Sequence, residues 1–210
     1  MKLTETTLAA LLSLQAPMAI AQEGASGALR GVELGSSTQG IKECPKSKNP
    51  VIPSLKYIAP FESDFPAEMK GVRCYQTTDK RPLLGSASSL VVANLPMVKG
   101  AGSDVTVNLL NDKIEYIEMR FSQHHSQAIL TALTEKHGKP TTSKEVAYKN
   151  GFGQTFSGTV ATWDNPDSTL TFTQYDGDKD WGRVDLMSDL YKSKLGQSYD
   201  STLQEIKDKL

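Results

Sequence analysis

The segment DVTVNLL-ND-KIEYIEMRF, Asp104 to Phe121, limits the possible fold more than any other part of the chain. Val105, Val107 and Leu109 fall on one side of a pleated strand. Ile117, Met119 and Phe121 fall on one side of the next, with Tyr116, Glu118 and Arg120 on the other. Between the arms, Asn111-Asp112 suits a tight turn, because Asn and Asp tolerate left-handed backbone. A period of two on both arms predicts an antiparallel hairpin with one apolar face, and such a face must be covered.

The cover is written next in the chain. In FSQHHSQAI, Phe121 to Ile129, Ser122 can cap a helix whose first turn is Gln123 to His125. Ala128, Ile129, Ala132 and Leu133 then make an apolar stripe at helical spacing. Lys136 and His137 place positive charge in the last turn, and Gly138 and Pro140 end the run. The spacing predicts a helix over 123–137.

Further strands are expected at 71–78, 88–96, 159–165, 168–175 and 181–187. NGFGQTFSG, Asn150 to Gly158, reads as a mobile hairpin connection, without the Lys and helix start of a phosphate loop. Ser36 and Gln39 have capping-box spacing ahead of a short helix that Pro45 stops, and Ser201 and Gln204 repeat that spacing before a terminal helix. Strands grouped without regular helical crossovers define the α+β class: antiparallel sheets with helices packed on one face. A capped helix followed by strands occurs at 36–121 and again at 122–210, which suggests two tandem units. Residues 22–35 read as a flexible leader.

The first 21 residues read as a signal peptide. Lys2 precedes the apolar run LAALLSL, and Ala19-Ile20-Ala21 is the small-x-small pattern cut after Ala21. The apolar run is far short of the ~20 residues that span a bilayer. The expected product is soluble, and periplasmic or secreted. In that setting the two cysteines, Cys44 and Cys74, read as a disulfide. Closing that loop contributes about 3.6 kcal/mol by chain entropy. Lys plus Arg number 23 against 24 Asp plus Glu, spread without runs, which argues against a nucleic-acid or basic membrane-binding surface.

GVELGSSTQGIKE resembles the opening of small exported bacterial α+β domains related to the outer-membrane assembly lipoprotein BamE and to β-lactamase-inhibitor protein. NDKIEYIEMRF, ILTALTEKHGKPT, TWDNPDSTLTF and WGRVDL resemble the same group, with a strand ending in an aromatic, a helix ending in Lys-x-Gly-x-Pro, and a Trp strand. The resemblance spans roughly residues 30 to 190. It implies binding of proteins or of partners associated with the cell wall. The lipid-attachment Cys of the lipoprotein is absent here.

Candidate chemistry is thin. His124 and His125 are adjacent on a helix and point about 100° apart, unlike the i, i+4 pair that grips a metal. His137 lies roughly 18 Å away along the axis. Ser122 and Ser126 flank the histidines, but no nucleophile elbow of the G-x-S-x-G type is present. Asp176, Asp178 and Asp180 begin like a calcium loop, yet Trp181 and Met187 occupy the positions that need Gly and Glu. Tyr175, Trp181 and Tyr191 are candidate interface anchors. The sequence therefore favours a non-catalytic, disulfide-linked binding protein of the bacterial cell envelope, with no metal, no cofactor and no membrane anchor after cleavage. Its partner is another protein or an envelope component. The rival readings are a periplasmic hydrolase using His124 or His125, and a weak calcium binder.

Overall fold

Asn111 and Asp112 take left-handed backbone, with φ of 52° and 61°, as a two-residue type I′ turn requires. The hairpin that they close lies in the middle of a broad sheet. The computed structural model describes residues 27–45, 72–78, 82–85, 87–93, 95–96, 98–102, 104–149, 151, 153–177 and 179–209. The segment read as a signal peptide, 1–21, and most of the proline-rich stretch after Pro45 lie outside the described residues.

In chain order the strands are β1 Ala28–Leu29, β2 Val32–Glu33, β3 Lys42–Glu43, β4 Cys74–Thr77, β5 Ser88–Ala93, β6 Val105–Leu110 and β7 Lys113–Ser122. A 3₁₀ turn, Gln123–His125, leads into α1 Ser126–His137. Then come β8 Thr142–Lys149, β9 Thr155–Asp164, β10 Ser168–Thr173, β11 Trp181–Ser188 and α2 Asp189–Lys209. β1 and β2 form a small hairpin. The other nine strands make one sheet in the order β3-β4-β5-β6-β7-β11-β10-β9-β8, antiparallel except for the short β3–β4 pairing. The fold is α+β.

β11 is the last strand in sequence, yet it sits mid-sheet between β7 and β10. Residues 36–121 supply β3 to β7, and residues 122–210 supply β8 to β11. The two stretches thus share one sheet.

The inner face carries the core. Val92, Val105, Val107, Ile117, Phe121, Phe172, Val184 and Leu186 are buried there, as the alternation on β6 and β7 requires. α1 lies on this face through Ile129 and Leu133. Ala128 and Ala132 stay exposed, so the expected stripe is only half used. Trp163 on β9 donates its indole N–H to the Gly138 carbonyl at 2.8 Å, which ties the end of α1 to the sheet. Gly182 on β11 faces Phe121 on β7, and without a Cβ it lets the Phe121 ring lie flat beside Phe172, centroids 5.4 Å apart.

Several local expectations give way to tertiary pairing. Within the stretch read as a flexible leader, Ala28–Leu29 and Val32–Glu33 pair as the β1–β2 hairpin, and Leu29 and Val32 join the core. No helix forms at Ser36. Instead Gly35 and Ser36 exchange backbone hydrogen bonds with Ile114, and the Ser37 hydroxyl accepts from the Gln39 N–H at 3.0 Å. Lys42–Glu43 is a strand. Ser122 precedes the 3₁₀ turn without a side-chain cap bond. The segment read as a hairpin connection contributes Thr155–Gly158 to β9. α2 begins at Asp189, well before the Ser201 start expected for a terminal helix. Its first turn rests on the outer face, opposite α1, where Tyr191 packs with Leu84, Leu110 and Tyr116.

Cys44 and Cys74 are bonded, with Cα atoms 4.9 Å apart. The bridge stands where β3 runs beside β4, and the Cys44 N–H donates to the Tyr75 carbonyl at 2.8 Å.

Candidate binding surface

The outer face follows from the β7–β11 register. Alternation that sends Ile117, Met119, Val184 and Leu186 inward sends Glu118, Arg120, Arg183 and Asp185 outward. Arg120 lies directly opposite Arg183, and Glu118 lies directly opposite Asp185. Like charges facing each other across strands are unfavourable. Two carboxylates relieve the arginines. Asp185 accepts from Arg183 Nε at 2.8 Å within the same strand. Asp176, on the loop after β10, bridges the pair: one oxygen lies 2.9 Å from Arg183 Nη1 and the other 3.3 Å from Arg120 Nε.

Below this pair the network runs into buried ground. The Tyr116 hydroxyl donates to Asp185 at 2.5 Å and lies 3.3 Å from a Glu118 oxygen. Burial, then Asp185 beside it, pushes the Tyr116 hydroxyl far above its ordinary pKa, so it stays a neutral donor. Burial also pushes the Asp185 carboxyl up, while Arg183 and the Tyr116 hydroxyl pull it down. For Arg183, burial opposes the charge but Asp185 and Asp176 outweigh it, and the guanidinium is held above its ordinary value. Tyr116 also stacks on Tyr191, centroids 5.6 Å apart, and the Tyr191 hydroxyl accepts from Asn108 Nδ2 at 2.9 Å. A recess of about 270 Å³ opens over this network, between Leu83, Thr106, Arg120 and Arg183.

Trp181 completes the exposed rim. Its ring lies 5.6 Å from the Arg120 guanidinium carbon, in cation–π contact. Trp181 is 45% exposed and the Arg120 side chain 47% exposed. Further along the same face Tyr148, Phe156 and Tyr175 pack together, with Phe156 and Tyr175 edge to face at 4.8 Å.

Two of the three expected interface residues, Tyr175 and Trp181, therefore lie on the outer face at the β10–β11 loop. The third does not. Tyr191 is fully buried and belongs to the core around the first turn of α2. The histidines diverge. His124 is exposed beside Gln123, Tyr175 and Asp180. His125 instead lies against Gly100, and its Nδ1 is buried with no hydrogen-bond partner among the described residues. His137 ends α1, and burial, then Lys136, holds its imidazole below the ordinary value. Among the described residues, no three His, Cys, Asp or Glu side chains gather as a ligand set. Asp176 has both oxygens committed to arginines, Asp180 pairs with Lys179 at 2.8 Å, and Asp178 lies outside the described residues. No helix among those residues is long and apolar enough to cross a membrane.

Arg183, and Arg120 as a site residue, escaped the sequence reading. Arg120 was placed on the polar side of its strand, but no signal within β7 says that β11 will lie beside it. No protein-family model, curated protein or solved structure matches the chain.

Proposed function

We propose that this chain is an exported, non-catalytic binding protein of the bacterial cell envelope, and that a protein partner docks on the outer sheet face over Trp181, Arg120 and Arg183. Kinship with the exported domains related to BamE and to β-lactamase-inhibitor protein is part of the same proposal. The observation that carries the reading is the exposed Trp181–Arg120 contact, with both arginines held by one carboxylate. Trp, Tyr and Arg dominate binding energy at protein interfaces. Arginines already fixed by Asp176 lose little side-chain freedom when a partner arrives, which favours affinity.

A photo-crosslinking amino acid at position 181 tests it in the exporting cell. One discrete adduct is expected from position 181, none from the same amino acid at the exposed Glu135 on α1, and loss of the adduct when Arg120→Ala is added. Equal labelling from both positions, or an adduct indifferent to Arg120, would overturn the docking surface.

A further inference from the structure

We infer that two copies of this chain join through β8, edge to edge and antiparallel about Ala147, so that their sheets run on as one. β8 ends the sheet order, and β9 is its one partner strand among the described residues. The opposite edge, β3, is only two residues long and stands beside the disulfide. β8 runs for eight residues in unbroken register with β9. It contains no proline, so alternate residues turn both N–H and C=O away from β9. Such a row of backbone groups is a template for another strand.

The charges on this edge select one pairing. Alternation puts Ser143, Glu145, Ala147 and Lys149 on one side of the strand, and Lys144, Val146 and Tyr148 on the other. Two copies that keep their sheet faces aligned pair residues of the same set, symmetrically about a single residue. Centred on Lys144, Glu145 or Lys149, the pairing sets a charge against its own copy, which is unfavourable. Centred on Val146 or Tyr148, it brings no opposite charges together. Centred on Ala147, it places Glu145 of each copy opposite Lys149 of the other, so the ion pair forms twice. On the other side Val146 meets Tyr148, also twice, and the smallest side chain of the strand stands on the two-fold axis.

The contacting groups are already held. The Thr159 hydroxyl donates to Glu145 Oε1 at 2.8 Å. Tyr148 packs with Phe156 and Tyr175, centroids 5.6 and 5.5 Å away. Groups fixed beforehand lose little freedom on pairing. Glu145 and Lys149 are exposed, so salt should weaken the contact. β8 lies three strands from β11, so the pair leaves Trp181 and Arg120 uncovered.

Sedimentation velocity of the full chain in low salt, at concentrations up to about 1 mM, tests the pairing. A reversible dimer is expected. Glu145→Lys alone and Lys149→Glu alone should each weaken it about tenfold or more, because two attractive cross-strand pairs become two repulsive ones. Both positions are exposed, so both variants should keep the wild-type melting curve. Mixing equal amounts of the two variants should restore the dimer, since every reversed residue then faces the opposite charge. A chain that stays monomeric throughout overturns the proposal. So does a mixture that fails to restore the dimer. A dimer indifferent to both reversals but lost with Tyr199→Lys would place the contact on the exposed side of α2 and overturn it as well.

Discussion

Replacing Gly182 by Ala probes how tightly the middle of the sheet is closed. A Cβ at that position would come within 2.3 Å of Phe121 Cζ and 2.8 Å of the Gln174 carbonyl oxygen. Neither obstacle can yield cheaply. The Phe121 ring is fully buried and stacked on Phe172, and the carbonyl is backbone. Either β11 shifts or the ring leaves its rotamer. Overpacking a well-packed core costs ~1–3 kcal/mol, and two obstacles acting together put the expected loss at about 3 kcal/mol. For a chain of this size that lowers Tm by ~6–12 °C. Urea unfolding of the oxidised protein, followed by circular dichroism, measures it, with the slope m unchanged. Shortening the ring should restore room. Gly182→Ala combined with Phe121→Leu should be more stable than the sum of the two single losses, by about 1–2 kcal/mol. A Gly182→Ala protein within ~0.5 kcal/mol of wild type would refute the close packing of Phe121 on β11.

Thiol titration of the unfolded, unreduced protein should find no free cysteine, and reduction should cost about 3.6 kcal/mol of stability, whereas two reactive thiols would disprove the bridge. His124→Gln should change stability by less than ~0.5 kcal/mol, as expected at an exposed position. Leu133→Ala, which truncates a buried residue of α1, should cost ~2–5 kcal/mol in the same melts, and a reversed order would undo the assignment of that helix face. His137 has a folded pKa below its ordinary 6.5, and its Nε2 is buried without a hydrogen-bond partner among the described residues. The neutral ring is thus favoured by folding, and its contribution, present above pH 6.5, is lost as pH falls through the folded value. Wild type should therefore lose stability relative to His137→Gln between neutral pH and about pH 5, and parallel pH profiles would count against it.

The elements most legible in the sequence are those specified by their own residues. The β6–β7 hairpin is one, because alternation and the Asn111-Asp112 turn sit within one short stretch. The Gly138 stop of α1 is another. What escaped depends on partners far away in the chain. Ser36 and Gln39 carry a helix-start pattern, but Gly35 and Ser36 exchange backbone hydrogen bonds with Ile114 instead. TSKEVAYK shows no strong apolar alternation, and it becomes β8 because β9 offers it a full partner strand. LYKSKLGQSYDS interrupts its pattern with Gly196 and polar residues, so the first half of α2 is hidden although Tyr191 anchors it. The candidate surface was half legible for the same reason. Tyr175 and Trp181 stand out by residue type, while the Arg120–Arg183 pair exists only through the register of β7 on β11.

The late position of β11 has a consequence for how the chain is made. Until Trp181 to Ser188 has left the ribosome, β7 and β10 each keep a bare edge, and the inner aromatic stack lacks the strand that underlies it. Pairings between such distant segments bear a loop-closure penalty before they return any stability, so sheet completion should be slow and should wait for nearly the whole polypeptide. The nine-stranded sheet is therefore completed only when nearly the whole chain is available. The same order makes premature termination before β11 hazardous, because the fragment would offer two unpaired strands to any neighbour able to extend them.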